Sequence, residues 1–192
     1  MTHVLNDNIL PHDFYMHETT IVAKKLLGKR LVRKINKKIL SGIIIETEAY
    51  RSDDFASHTY NGMTKRNKAM FGTVGCAYIY TIHGIHSCID VVAKSKQFQA
   101  GGVLIRALDP DIGIDVMEKN RHTHNFKNLT NGPAKLTQAL QINKKLYGID
   151  LTTKVDLYIT KGISTTNKIQ LSTRVGISKA VDKLWNFKLI ST

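Results

Sequence analysis

The stretch Ser41–Gly42–Ile43–Ile44–Ile45–Glu46–Thr47–Glu48–Ala49–Tyr50 constrains the fold more than any other part of the chain. A run of three isoleucines favours a buried strand, and it gives way at once to two carboxylates and an aromatic ring. Side chains alternate between the faces of a strand, so Ile44, Glu46, Glu48 and Tyr50 are expected on one face, with the two carboxylates roughly 7 Å apart. Such a pair can hold a water beside a polarised bond. It can equally be a strand end that has left the core and carries solvated acids, since Asp and Glu are mostly exposed.

The neighbouring segments supply partners for that strand. Pro11–His12–Asp13 reads as a helix start, with Phe14, Ile21, Val22, Leu26 and Leu27 following at mostly helical spacing and Gly28 as the stop. Leu31–Val32–Arg33–Lys34–Ile35 and Ile39–Leu40 flank Asn36–Lys37–Lys38, a turn that pairs a first strand with the one ending in the glutamates. Apolar periodicity is lost from Arg51 to Thr73, and this long connection carries Lys65–Arg66–Asn67–Lys68, either a solvated loop or a grip for phosphates. Cys76 to Ile82 and Ile85 to Val92 form a hairpin through His83–Gly84, with Tyr78 and Tyr80 on one face as core residues or as stacking surfaces. In the apolar strand Gly102–Leu108, Arg106 needs a carboxylate or phosphate partner if it is buried, or an edge position if it is not. Asp109–Pro110 is expected to end that strand, before a short helix from Ile112 to Arg121. Asn131–Gly132–Pro133 opens another helix with Leu136, Leu140 and Ile142 facing inward. Val155–Ile159 alternates as a half-buried strand, and Arg174–Val175–Gly176–Ile177 is a short apolar piece. Hairpins are more evident than β-α-β crossovers, so the expected fold is a single α+β domain over residues 1–192, with a curved, mostly antiparallel β-sheet flanked by helices.

Charge narrows the class of partner. The 28 Lys and Arg outnumber the 15 Asp and Glu, giving +13 spread along the chain, which favours a polyanion: nucleic acid first, an anionic membrane surface second. No apolar run approaches the ~20 residues of a membrane span, and no secretory leader is expected. Cys76 and Cys88 therefore read as free thiols of a soluble protein in a reducing compartment, the cytoplasm. There is no Gly-rich phosphate loop to hold a nucleotide cofactor. His83, His86 and Cys88 are too loosely spaced for a metal set, so neither cofactor nor metal is expected.

An ordered series of motifs goes further: Ile45–Tyr50, His58, Lys65–Phe71, Tyr78–Ile79–Tyr80, Val103–Ala107, Asn131–Leu136 and Arg174–Ile177. Over roughly residues 13–187 this series resembles the alkyladenine DNA glycosylases, also called 3-methyladenine or methylpurine DNA glycosylases. The resemblance implies a monofunctional, monomeric enzyme that flips a damaged purine out of double-stranded DNA and hydrolyses its N-glycosidic bond with water; the DNA substrate would place it at the nucleoid. It implies Glu48 as the base for that water, with Arg106 and the Val175 carbonyl holding the same water and Glu46 in support. Tyr50 and His58 on one side and Tyr80 on the other would wall the base pocket, where a cationic alkylated purine gains cation–π attraction. Lys65, Arg66 and Lys68 would contact the DNA backbone. The wedge that fills the gap left by the flipped base maps to His83.

Three positions depart from the pattern. His83 stands where tyrosine is usual, and Asp90 stands where asparagine often rejects guanine through its exocyclic amine. A carboxylate there could accept from that amine and would repel phosphates. In Leu184–Trp185–Asn186–Phe187, asparagine stands where an arginine usually precedes the phenylalanine. These departures leave open an alternative, a catalytically silent nucleic-acid-binding module with the same basic surface.

Overall fold

The structure is a computed structural model that describes residues 8–82, 84–163 and 168–190. The chain begins with a 3-10 turn, His12–Tyr15, and helix α1, Thr19–Leu26. The single N-terminal helix expected from the apolar spacing is thus two pieces. Strands β1 (Arg30–Ile35) and β2 (Lys38–Arg51) pair antiparallel through Asn36–Lys37, with Asn36 at a φ of 55°. The long connection carries only the short helix α2, Lys68–Phe71. Strands β3 (Ala77–Ile82) and β4 (His86–Val92) form the expected hairpin, followed by β5 (Gly101–Ile112). Helices α3 (Ile114–Arg121) and α4 (Pro133–Ala139, with Pro133 in its first turn) come next, then strands β6 (Leu157–Thr160), β7 (Ile169–Ser172) and β8 (Asn186–Leu189).

The result is an α+β fold built on one curled antiparallel sheet, ordered β3-β4-β5-β2-β1-β6, with β8 pairing to β2 and β7. β2 is its organising strand. It pairs with β5 along one edge and with β1 and then β8 along the other. Two segments differ from expectation. β5 runs through Asp109 and Pro110 to Ile112, because Pro110 sits opposite Gly42, where a side chain on β2 would collide with Asp109 O and Leu108 Cβ. Arg174–Ile177 forms no strand: Arg174 is buried while Val175 is 57% exposed.

Alternation sorts the sheet residues onto two faces. Thr47 and Ala49, Ile79, Ile89 and Val91, and Val103 and Ile105 are buried on the face that receives α1; the Thr47 hydroxyl donates to Ala23 O at 2.9 Å. Tyr50, Tyr78, Tyr80, Cys88 and Leu104 belong to a second apolar cluster on the opposite face. Ile44 is in the first cluster, contrary to the expectation that it shares a face with Glu46 and Glu48. The cause is a local irregularity on both strands: Glu46 stands opposite Ala107, out of register with Ile44–Leu108 and Thr47–Ile105. It changes the phase of the alternation, so the apolar run and the acidic run each reach the medium that suits them.

Among the described residues no helix is long and apolar enough to cross a membrane. Gly101 marks the tightest approach of the α1 segment to the sheet: a Cβ there would lie 2.5 Å from both Ala93 O and Thr19 Oγ1, which are themselves hydrogen-bonded. Gly101→Ala should therefore cost about 1–3 kcal/mol in urea unfolding, the usual range for overpacking a filled site. An unchanged midpoint would show that this contact yields freely.

Candidate active site

Five cross-strand steps bring the candidate residues into one row. Tyr78 stands opposite Asp90, Asp90 opposite Leu104, Leu104 opposite Glu48, Glu48 opposite Asn186, and Asn186 opposite Ser172. Tyr80 and Cys88 pair one step along the hairpin, and Tyr50 lies two residues beyond Glu48 on the same face.

Glu48 has no exposed side-chain surface. Its Oε1 accepts from the Val175 backbone N–H at 2.8 Å and from Asn186 Nδ2 at 3.0 Å; its Oε2 accepts from the Tyr50 hydroxyl at 2.8 Å and from Arg106 Nη1 at 3.4 Å. The roughly four acceptor positions of a carboxylate are thus all engaged. Glu46 shares two of these donors, taking Arg106 Nε and Asn186 Nδ2, each at 2.9 Å. Arg106 has the carboxylate partners that its place in an apolar strand demanded. The atom of Val175 that meets Glu48 is its N–H.

In front of this cluster lies a cavity of about 280 Å³. Tyr50, His58, Tyr80, Asp90, Arg106 and Val175 line it, together with Met70, Leu104 and Pro133. Glu48 is not in the wall and sits behind Tyr50, Arg106 and Val175. The His58 and Tyr80 rings meet edge to face at 4.7 Å, so these two form one corner of the cavity instead of opposite sides of a slot. Tyr78 stacks on Tyr80 at 4.9 Å, and its hydroxyl bonds His58 Nδ1 at 3.0 Å. Burial of the ring and then the nearby Arg66 hold the His58 pKa below its usual value. Burial, then the charge and hydrogen bond of Glu48, push the Tyr50 hydroxyl up, so it remains a donor to that carboxylate. Asp90 lines the cavity while only 2% exposed, and so is not out in solvent where it would repel phosphates. Burial first and the Glu48 charge second raise its pKa to about 8.

The basic cluster lies beside the cavity. Lys65, Arg66 and Lys68 are exposed; Lys65 and Arg66 line a neighbouring groove with Lys144 and Tyr80, and the Arg66 guanidinium lies 5.6 Å from the Tyr80 ring centre. Lys68 starts α2 and lines neither hollow. The wedge position His83 lies outside the described residues.

Two groups of the site escaped sequence reasoning. Arg174 forms a buried ion pair with Asp54, donates to Ala49 O at 2.9 Å, and places its guanidinium 4.7 Å from the Tyr50 ring centre. It anchors the segment that presents Val175. A lone arginine beside an apolar tripeptide was the available signal, but Asp54 read only as a loop residue. Asn186 counted as a departure from a pattern, and here its amide bridges both glutamates.

With this arrangement in view, the chain's relatives can be placed. Residues 13–191 match the methylpurine-DNA glycosylase family, and the chain belongs to that family. A protein of Carboxydothermus hydrogenoformans, provisionally named a 3-methyladenine DNA glycosylase, is 47% identical over 182 residues, covering 94% of this chain and 95% of its own. Proteins with the same provisional name from Francisella tularensis and Methanoculleus marisnigri are 44% and 43% identical, covering 88% and 94% of this chain and 89% and 94% of their own lengths.

Two measurements probe the site's energetics. Arg174→Met leaves the Asp54 carboxylate buried with only Lys183, at 3.4 Å, beside it. Breaking a buried pair in this way should cost about 3–5 kcal/mol in denaturant unfolding; a loss below 1 kcal/mol would mean that the pair is not holding the segment. For Asp90, the native state keeps its proton up to about pH 8, whereas the unfolded chain releases it near 3.8. Between those values the native state binds more protons, so this residue's contribution to stability falls as pH rises. The melting temperature of Asp90→Asn relative to wild type should accordingly climb from pH 4 to pH 8. A difference independent of pH would mean that native Asp90 ionises normally.

Proposed function

We propose that the protein is a DNA-repair glycosylase that flips damaged purines out of duplex DNA and hydrolyses their N-glycosidic bond with water. The observation that carries this reading is the buried Glu48 behind the wall of a purine-sized cavity, joined to Arg106 and Val175 from distant parts of the chain. Flipping is required because the reacting sugar carbon is out of reach inside a stacked duplex. The substrates are 3-methyladenine and other alkylpurines, with hypoxanthine and ethenoadenine as neutral members of the class.

Breaking the bond builds positive charge on the sugar, and a carboxylate nearby stabilises it while taking a proton from the attacking water. Every acceptor position of Glu48 is engaged, so the water must take the place of one donor. The Arg106 contact, at 3.4 Å, is the longest of the four and is the natural point of entry, where Arg106 can hold the water it admits. The Val175 carbonyl, presented by a segment that Arg174 anchors, completes the grip. Tyr50 and Tyr80 supply stacking surfaces, with His58 at the edge of the base. Arg174 behind Tyr50 fixes the orientation of that ring. Lys65, Arg66 and Lys68 hold phosphates, and His83 fills the gap in the stack.

Single-turnover release of free base from a duplex alkylated with dimethyl sulfate tests the assignment. Glu48→Gln should lower the rate at least about 100-fold, the scale of a lost general base, while lesion binding measured by fluorescence anisotropy is retained. Base release by Glu48→Gln at the wild-type rate would remove Glu48 from the chemistry. Salt-sensitive DNA binding without any base release by wild-type protein would identify a silent binding module instead.

A further inference from the structure

Asp90 has a place in the cavity that the water-activating cluster does not use. It stands on β4 between Tyr78 and Leu104, lines the cavity, and its buried Oδ1 has no hydrogen-bond partner. Buried polar atoms are nearly always paired, so an unpaired one on a side chain that lines a cavity marks a position where a ligand atom belongs.

The groups around it leave Asp90 without a countercharge. From β2, Glu48 is engaged by its four donors and the Tyr50 hydroxyl by Glu48. From β5, Arg106 is held by Glu46 and Glu48. On β3, the Tyr78 hydroxyl bonds His58, and Tyr80 stacks on Tyr78. On β4 itself, burial above all pushes the Cys88 thiol up to about 12, which keeps it neutral. α4 packs against β4, but its Lys135 is bonded to Asn128 and Asn131; Lys68 of α2 is exposed. Burial and the nearby Glu48 charge therefore keep Asp90 in its protonated form at neutral pH, opposed only by the Tyr80 hydroxyl. A neutral carboxylic acid in an apolar wall is a hydrogen-bond donor.

Resting on the glycosylase reading above, we propose that Asp90 is the general acid for electrically neutral damaged purines, delivering the proton of its carboxyl group to an acceptor ring nitrogen of the flipped base. As the bond between the sugar C1′ and N9 breaks, its electron pair goes to the purine, which leaves as a neutral molecule carrying the Asp90 proton. Water adds to C1′ and gives its proton to Glu48. Asp90 recovers a proton from solvent and Glu48 releases one, so the net change is hydrolysis. A cationic methylpurine needs no such proton, because the electron pair returns to a ring that is already charged. One side chain thereby sets the ratio between two substrate classes that enter the same cavity.

The test compares base release from a duplex with a single hypoxanthine and from one alkylated with dimethyl sulfate, in single turnovers from pH 6 to pH 9, using wild type and Asp90→Asn. For wild type, hypoxanthine release should fall about tenfold per pH unit once pH exceeds about 8, relative to methylpurine release. Asp90→Asn should cut the hypoxanthine-to-methylpurine ratio by about 100-fold, as expected for a lost general acid, and abolish that descending limb. The carboxyl carbon resonance of Asp90 in the free protein should titrate near pH 8, a readout that does not depend on activity. An unchanged ratio and limb in Asp90→Asn, or a carboxyl that titrates near pH 4, would overturn the proposal. So would wild-type release of methylpurines but not hypoxanthine at any pH, which leaves the glycosylase reading intact. Release of neither class would sink both.

Discussion

Burying a carboxylate with no solvent contact costs several kcal/mol unless donors replace its hydration, and Glu48 obtains those donors from four places at once. Tyr50 lies two residues along its own strand, Arg106 comes from β5, Val175 from the segment before β8, and Asn186 from β8 itself. The first two are local to the β2–β5 pair. The last two exist only when the C-terminal part of the chain closes onto the sheet, so the requirement of one buried charge dictates where residues 174–186 lie. The Arg174–Asp54 pair fastens the same segment to the long connection after β2. One buried ion pair and one backbone hydrogen bond thus hold Val175 against Glu48, although Val175 itself is largely exposed.

The same dependence explains why the site tolerates no register error. Tyr78, Asp90, Leu104, Glu48 and Asn186 form a single row across antiparallel strands. A slip of one residue in any strand would exchange that strand's polar and core faces. The irregularity at Glu46 and Ala107 lets one long strand serve two purposes, with Ile44 directed into the main core and Glu48 into the site. Without it the alternation would put an isoleucine and the two glutamates on one face, and one type or the other would be in the wrong medium.

Much of this was legible in the amino-acid sequence where the signal is local. Turn residues at Asn36–Lys37, the period-two pattern around Tyr78 and Tyr80, and Pro133 at a helix start each name their element, because short-range sterics decide them. Arg106 announced its need for a carboxylate through the cost of burying it alone. What stayed hidden was non-local. The bulge leaves no mark in the run of isoleucines, since it depends on the partner strand. Asp54 and Arg174 are 120 residues apart and carry no periodicity that links them. Continuation of β5 through Pro110 was equally out of reach, because it turns on the absence of a side chain at Gly42 opposite. The family resemblance supplied Val175 as a site residue, but only the fold distinguishes the N–H that meets the carboxylate from the carbonyl.

The two acidic side chains of the row differ in the one respect that matters for proton chemistry, and the difference is made by their neighbours. Glu48 accepts two hydrogen bonds at each oxygen and shares Arg106 with Glu46. Asp90, separated from it by Leu104 on the intervening strand, receives no guanidinium and no backbone donor, and the charge on Glu48 adds to the cost of ionising it. The ionised state of one is therefore part of what keeps the other neutral. Strand spacing of about 4.8 Å puts the two backbones roughly 10 Å apart, with Asp90 in the cavity wall and Glu48 behind it. An asparagine in place of Asp90 would preserve the shape and lose the transferable proton, so the acid–base division proposed for this cavity rests on that single difference between a carboxyl and an amide.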